Sequence, residues 1–413
     1  MSVIRPLGNR YYPVITSTIF QRYSVSLTGY LGKSPLTPVD LGCIGGASRQ
    51  SLLPSALFKN YSSQSEANAM KALVYKGSNR CELQDRPIPK IQTPTDAVVK
   101  MLHTTICGTD LHILKGDVPT VEAGLVLGHE GIGSVETLGS AVTDFFVGDL
   151  VLISCITACG VCTSCRQGLN SHCESGGWAL GNVIDGTQAE YVRIPHAAYS
   201  LHRLPTTIDT QAAVAFSDAL PTGYECGTLN ANVQPGNKVV IVGAGPVGLS
   251  TLLTARLYTP ALTVVIDTDD TRLAHAKKLG ADEVVNPIKK DAMEKLDTLS
   301  GEHGFESVIE AVGSPETFEL CQTLVAPGGS IANVGVHGQK AQLALDRLWD
   351  RNITIRTRLV DAVTIPTLLK LYYAQKIDPS QLVTHNFNFS EITKAYENFQ
   401  QRSGGVLKVG IKF

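Results

Sequence analysis

The chain of 413 residues lacks an excess of charge of either sign: Lys+Arg number 35, Asp+Glu 37, and the net charge is −2. It therefore offers no basic stripe of the kind that binds nucleic acid. No apolar run is long enough to span a bilayer, so a membrane partner is not expected. No internal repeat or low-complexity segment interrupts the chain. Charged residues make up only 17% against 43% hydrophobic, a composition that excludes general disorder and leaves enough apolar material for about two or three domains.

What is present is concentrated. Of ten cysteines, Cys159, Cys162, Cys165 and Cys173 are spaced C-x2-C-x2-C-x7-C. Four thiolates this close suit a tetrahedral Zn2+ shell, and their clustering favours a metal over a scattered disulfide framework. The surrounding lobe, residues 154–177, has no hydrophobic periodicity, so metal and not burial must order it. Cys43, Cys81, Cys226 and Cys321 have no ligand-like neighbours and read as ordinary thiols.

Residues 1–69 form an N-terminal extension of different character. Arg5, Arg10, Arg22, Lys33, Arg49 and Lys59 face only Asp40 and Glu66, amid frequent Ser, Thr and Tyr. This resembles a mitochondrial transit peptide, and the expected destination is the mitochondrial matrix. The alternative is an extension without targeting meaning on a cytoplasmic protein, since Met70 opens a good first strand.

Residues 70–155 alternate short β segments with turns: Ala72–Tyr75, Asp96–His103, Gly131–Leu138 and Leu150–Ser154. From about Pro235 the pattern changes. Short apolar strands (Lys238–Val242, Leu262–Asp267, Asp282–Asn286, Ser307–Val312, Ser330–Val336, Asn352–Val360) alternate with helical stretches. This is the pattern of an α/β doubly wound parallel sheet. The domains expected are a catalytic metal domain over 70–220, a dinucleotide-binding domain over 221–360, and a segment 361–413 that returns to the first domain.

Gly243-Ala244-Gly245-Pro246-Val247-Gly248 follows the apolar strand Lys238–Val242 and opens a helix. In that context G-x-G-x-x-G is a dinucleotide fingerprint. Gly243 permits the tight turn, Gly245 the approach of a pyrophosphate, and Gly248 close helix–strand packing. Pro246 and Val247 begin the helix whose N-terminus faces the phosphates. Asp267 ends the next strand and is placed to accept from ribose hydroxyls, which favours NAD over NADP; its alternative role is a helix N-cap. Arg272 either reaches the same ribose or solvates a helix face.

A soft ligand, an imidazole and carboxylates recur before the cysteine lobe and after it: Cys107, His129, Glu130 and Asp218. Catalytic zinc keeps three protein ligands and one open position. Cys107, His129 and Asp218 would balance the charge of Zn2+. Glu130 is either a displaceable fourth ligand or an outer partner.

Cys107-Gly108-Thr109-Asp110-Leu111-His112, Gly128-His129-Glu130, the four-cysteine lobe and the glycine turn, in this order, resemble the zinc-dependent medium-chain alcohol dehydrogenases over residues 70–413. The resemblance implies a Rossmann-type domain joined to a β-rich GroES-like catalytic domain. It implies two zinc ions per subunit, one catalytic and one structural, with NAD as cofactor and a homo-oligomer, tetrameric by analogy. It implies reversible hydride transfer between a small or medium alcohol and NAD. Polyol, L-threonine-type and redox-dead NAD-sensing proteins are the alternatives. It assigns proton relay to Thr109 and His112. It assigns cofactor contacts to Thr222, Val334, Gly335, Val336 and Lys408, the last near the pyrophosphate. Asp218 in place of cysteine resembles the secondary-alcohol branch, in which Trp178 would line the substrate pocket.

Overall fold

The computed structural model describes residues 69–413, except 78 and the side chain of 403. The N-terminal extension thus lies outside the described residues, apart from Ala69. Among the described residues no helix is long and apolar enough to cross a membrane.

An antiparallel hairpin, Ala69–Tyr75 with Cys81–Pro87, opens the described chain. A mixed seven-stranded sheet follows, centred on Ala97–Ile106 and Gly131–Leu138. Its far edge is built by the C-terminus: Lys408–Lys412 pairs antiparallel with Ala97–Ile106, and Val383–Asn388 pairs parallel with Lys408–Lys412. The tail therefore returns to the first domain through a strand pair. Register matters here. Val409 lies opposite Ile106 and Gly131 opposite Thr104, so Thr105, Glu130 and Lys408 converge at neighbouring strand ends.

The second sheet is parallel and six-stranded, with Lys238–Val242 near its middle. On one side lie Leu262–Ile266 and Glu283–Val285; on the other lie Phe305–Glu310, Val325–Asn333 and Thr354–Thr357. The spatial order is 3-2-1-4-5-6, the dinucleotide-binding order. Val239, Val240, Ile241 and Val242 are all buried, as a strand covered by helices on both faces requires.

Between the sheets runs a helical stretch, Thr210–Ala213, Val214–Ser217, Ala219–Thr222 and the wide-turned Gly223–Leu229. The expected boundary at 220 falls inside it. Its glycines serve contact: a Cβ on Gly223 would stand 2.6 Å from Ser250 Cβ, and one on Gly227 would press into Thr251. The stretch packs on the helix Pro246–Ala255 in a core that also takes Ile132 and Leu152 from the mixed sheet. It binds the two sheets together and carries Asp218 to their junction.

Candidate metal and dinucleotide site

A cleft of about 800 Å³ lies between the two sheets and is lined from both. Its metal end is assembled from three chain turns. Ala97–Ile106 delivers Cys107 to the start of the helix Gly108–Lys115, where the Cys107 backbone N–H donates to Asp110 Oδ2 at 2.9 Å. His129 and Glu130 directly precede Gly131–Leu138. Asp218 is brought alongside by Ser217, whose hydroxyl accepts from Gly131 N–H (2.9 Å) and donates to the Ile153 carbonyl (2.5 Å).

Donor atoms of Cys107, His129, Glu130 and Asp218 lie within 4.8 Å of one another. Asp218 Oδ2 stands 3.7 Å from Cys107 Sγ and 3.6 Å from His129 Nε2. Ligands on a tetrahedral zinc, with bonds of about 2.0–2.3 Å, sit about 3.3–3.8 Å apart. The donor set therefore fits zinc in chemistry and spacing. Burial favours a neutral His129 ring, but Asp218 and Cys107 outweigh it and hold the pKa well above the usual value, so this position attracts positive charge. Burial raises the Cys107 thiol, as expected for a thiolate that needs a cation beside it.

The carboxylates differ. Glu130 Oε1 accepts from Lys408 Nζ at 2.7 Å and its Oε2 from Thr105 Oγ1 at 2.5 Å, so both oxygens are occupied. Asp218 keeps Oδ2 toward Cys107 and His129, while Oδ1 accepts from Thr222 Oγ1 at 2.8 Å. Burial pushes the Asp218 carboxyl up, but His129 and Lys408 outweigh it and hold it well below the usual range.

Two residues expected to contact the cofactor line the cleft and have partners of their own. The strand register of Lys408 buries it (1% exposed) against Glu130. Thr222 lines the cleft, but its hydroxyl is committed to Asp218. Sequence reasoning also passed over Asp110. Its Oδ1 faces His129 Nδ1 at 3.9 Å, and neither atom has a hydrogen-bond partner. Its Oδ2 accepts from Gln188 Nε2 (3.2 Å), and Gln188 in turn accepts from Tyr396 OH (2.8 Å). Asp110 stands inside the Cys107–His112 motif and was legible there; Gln188 and Tyr396 gave no local signal.

Thr109 Oγ1 lies 3.6 Å from Cys107 Sγ. His112 lines the cleft and its Nδ1 pairs with Asp117 Oδ2 at 2.9 Å. Trp178 packs on His129 in a T-shaped pair, with centroids 6.2 Å apart, and is not among the residues that line the cleft.

At the other end of the cleft, Gly245 caps the helix Pro246–Ala255. A Cβ there would meet nothing closer than Arg272 Nη1 at 3.8 Å, leaving open room above the turn. A Cβ on Gly248 would strike the Gly243 carbonyl, so that glycine serves the strand–helix approach. Asp267 Oδ2 accepts from Ala244 N–H at 2.7 Å and Oδ1 from Asp269 N–H at 2.9 Å. The helix cap is Asp269, which accepts from Thr271 and Arg272 N–H. Arg272, Val334, Gly335 and Val336 line the same cleft as the glycine turn. The room above Gly245 and the exposed helix start fit a dinucleotide.

Away from the cleft, ligand atoms of Cys159, Cys162, Cys165 and Cys173 also lie within 4.8 Å of one another. The thiols are free, with Cys159 and Cys165 Sγ 4.0 Å apart. Backbone N–H groups of Cys159, Cys162 and Cys165 point at sulfur atoms of the set. The Val161 N–H is first among the bonds that lower Cys159 to about 6. Val161 is 64% exposed, and residues 159–173 contribute to none of the hydrophobic clusters among the described residues. The set fits a structural zinc.

Two family models match the chain: an alcohol dehydrogenase GroES-like domain over residues 93–206 and a zinc-binding dehydrogenase domain over residues 246–373. An alcohol dehydrogenase of Cupriavidus necator is 36% identical over 363 residues, covering 83% of this chain and 98% of the relative. The chain belongs to the zinc-dependent medium-chain alcohol dehydrogenase family. It is an oxidoreductase with the GroES-like and Rossmann-type domains of that family. Among solved structures, the apo form of zinc dependent alcohol dehydrogenase 2 from Streptococcus pneumonia matches with a TM-score of 0.80 and 48% identity, covering 83% of this chain and 98% of that one. Alcohol dehydrogenase TADH from Thermus sp. ATN1 matches with a TM-score of 0.77 and 32% identity, covering 83% and 99%.

Proposed function

We propose that the protein is an NAD-dependent zinc alcohol dehydrogenase that interconverts small or medium alcohols with aldehydes or ketones. The observation that carries this reading is the donor set of Cys107, His129 and Asp218, of which Cys107 and Asp218 line the same cleft as the glycine turn.

Cys107, His129 and Asp218 hold the catalytic zinc, and Glu130, neutralised by Lys408, stands behind them. One thiolate and one carboxylate balance the dication, leaving one position for substrate. Zinc bound there supplies the Lewis acidity that eases loss of the alcohol proton. NAD supplies the hydride acceptor.

The chain's own residues do the rest. Asp110 Oδ1 faces His129 Nδ1 across 3.9 Å, so its charge favours the proton on Nδ1 and leaves Nε2 for the metal. The Thr109 hydroxyl takes the proton released at the cleft floor. His112 passes it to solvent, its ring set by Asp117 at Nδ1 so that Nε2 is the accepting nitrogen. Trp178 packs against the His129 ring and backs the metal end of the cleft. Asp267, already braced by Ala244 and Asp269, repels a 2′-phosphate, which supports NAD over NADP. The assembly in this reading is a homotetramer with two zinc ions per subunit, imported to the mitochondrial matrix.

The test is one preparation assayed for zinc per subunit and for reduction of NAD and NADP with primary alcohols, secondary alcohols, polyols and threonine. Turnover with simple alcohols and NAD supports the reading. Turnover confined to polyols or threonine replaces the substrate class. A clear NADP preference refutes the argument from Asp267.

A further inference from the structure

One buried carboxylate ties together the two strand ends that line the half of the cleft opposite Asp267. Glu310 ends the strand Phe305–Glu310 and is 0% exposed. Its Oε1 accepts from the backbone N–H of Val312 (3.0 Å) and Gly313 (2.8 Å) and from Thr317 Oγ1 (2.7 Å). Its own carbonyl accepts from Val334 N–H (2.8 Å) and Gly335 N–H (3.1 Å). The two turns press together so closely that a Cβ on Gly335 would stand 2.5 Å from Glu310 Oε2.

The second oxygen, Oε2, has no hydrogen-bond partner among the described residues. It faces His337 Nε2 at 3.6 Å, the one ion-pair contact of Glu310 among the described residues. His337 Nε2 also bonds Asn333 Oδ1 at 2.9 Å, and Asn333 Nδ2 donates to the Gly335 carbonyl at 3.1 Å. Glu310, Asn333 and His337 thus bracket the short ledge Val334–Val336 from beneath.

That ledge and Val312 line the cleft, and the side chains of Val312 and Val336 stay open to it, at 51% and 63% exposure. The sheet order puts them on the far side of Lys238–Val242 from Asp267. A dinucleotide lying across the switch point with its adenosine at Asp267 sets its other base on this ledge. A carboxylate without water is expensive to bury, and an apolar side chain would pack here at less cost. What Glu310 supplies is a single point that fixes both turns at once.

We propose that Glu310, with His337 as its counter-group, is the positioning residue for the nicotinamide ring. The inference rests on the dinucleotide function proposed above. Glu310 touches neither cofactor nor substrate; it acts through Val312 and the Val334–Val336 ledge.

The experiment compares NADH with ADP-ribose, which lacks the nicotinamide, on the full-length protein and on Glu310→Gln and His337→Gln. Gln at 310 keeps an oxygen for Val312, Gly313 and Thr317 and removes the charge that faces His337. The NADH dissociation constant is expected to rise about tenfold in Glu310→Gln, because the bonds from Val312, Gly313 and Thr317 lose their charged acceptor. It should rise in the same direction in His337→Gln, with ADP-ribose affinity unchanged in both. If Glu310→Gln does not fold, His337→Gln carries the same comparison. Equal weakening of both ligands, or no change in either, overturns the inference. Wild-type protein that binds ADP-ribose and NADH with equal changes in the variants leaves the proposed function standing and overturns this inference alone. Wild-type protein that binds neither ligand overturns both.

Discussion

Lys408 Nζ donates to Glu130 Oε1 across 2.7 Å, with the two side chains 2% and 1% exposed. The pair joins the last strand of the chain to the back of the candidate metal centre. Burial would lower the Lys408 pKa, but Glu130 reverses this and raises it, so Lys408 stays charged through the working pH range.

Removing one partner of such a pair strands the other. Lys408→Met should therefore destabilise the fold by about 3–5 kcal/mol. The double variant Lys408→Met/Glu130→Gln should recover most of that loss. Urea unfolding of the single and double variants checks it; equal loss in both would mean that packing, and not charge, is what Lys408 provides.

Asp218 and Glu130 are separated by a second prediction. Asp218→Asn should remove one zinc per subunit and leave the lobe zinc in place, because only Asp218 turns a free oxygen toward Cys107 and His129. Glu130→Gln should keep both ions. Metal analysis of the two purified variants decides the assignment, and the opposite pattern would make Glu130 the third ligand.

The fold was legible where its signals are local. The glycine turn 243–248 follows a run of buried β-branched residues, and the cysteine spacing 159–173 sets four thiols together whatever the rest of the chain does. Lys408 was not legible. Its partner lies 278 positions away, and its burial depends on the register of Lys408–Lys412 against Ala97–Ile106. The helical stretch through Gly223 and Gly227 was missed for a similar reason. Locally those glycines signal turns, and only the close approach of Pro246–Ala255 turns them into helix contacts. Asp267 shows the limit in one of its two bonds: Asp269 lies two positions away, but Ala244 lies 23 away on another element.

The cysteine lobe should depend on its metal. With Val161 exposed and no apolar cluster of its own, Cys162→Ser should release one zinc per subunit and open residues 154–177 to protease, while Cys107 and His129 keep their geometry. Limited proteolysis with peptide mapping checks this. Persistence of a protected lobe without its zinc would show that packing holds it.

Acid sensitivity has a candidate source in His202. Burial holds its folded pKa at about 4, below the usual value. The unfolded chain takes up the proton near pH 6.5 and the folded chain only near pH 4, so His202 lowers stability as pH falls through that window. His202→Gln should flatten the decline of Tm between these limits and leave the slope outside them unchanged. An unaltered pH profile would place the acid sensitivity elsewhere.

The most direct test is NAD reduction by an alcohol before and after complete removal of zinc by a chelator. The account predicts that activity falls to background and returns when zinc is restored. Undiminished turnover by the metal-free enzyme would contradict it.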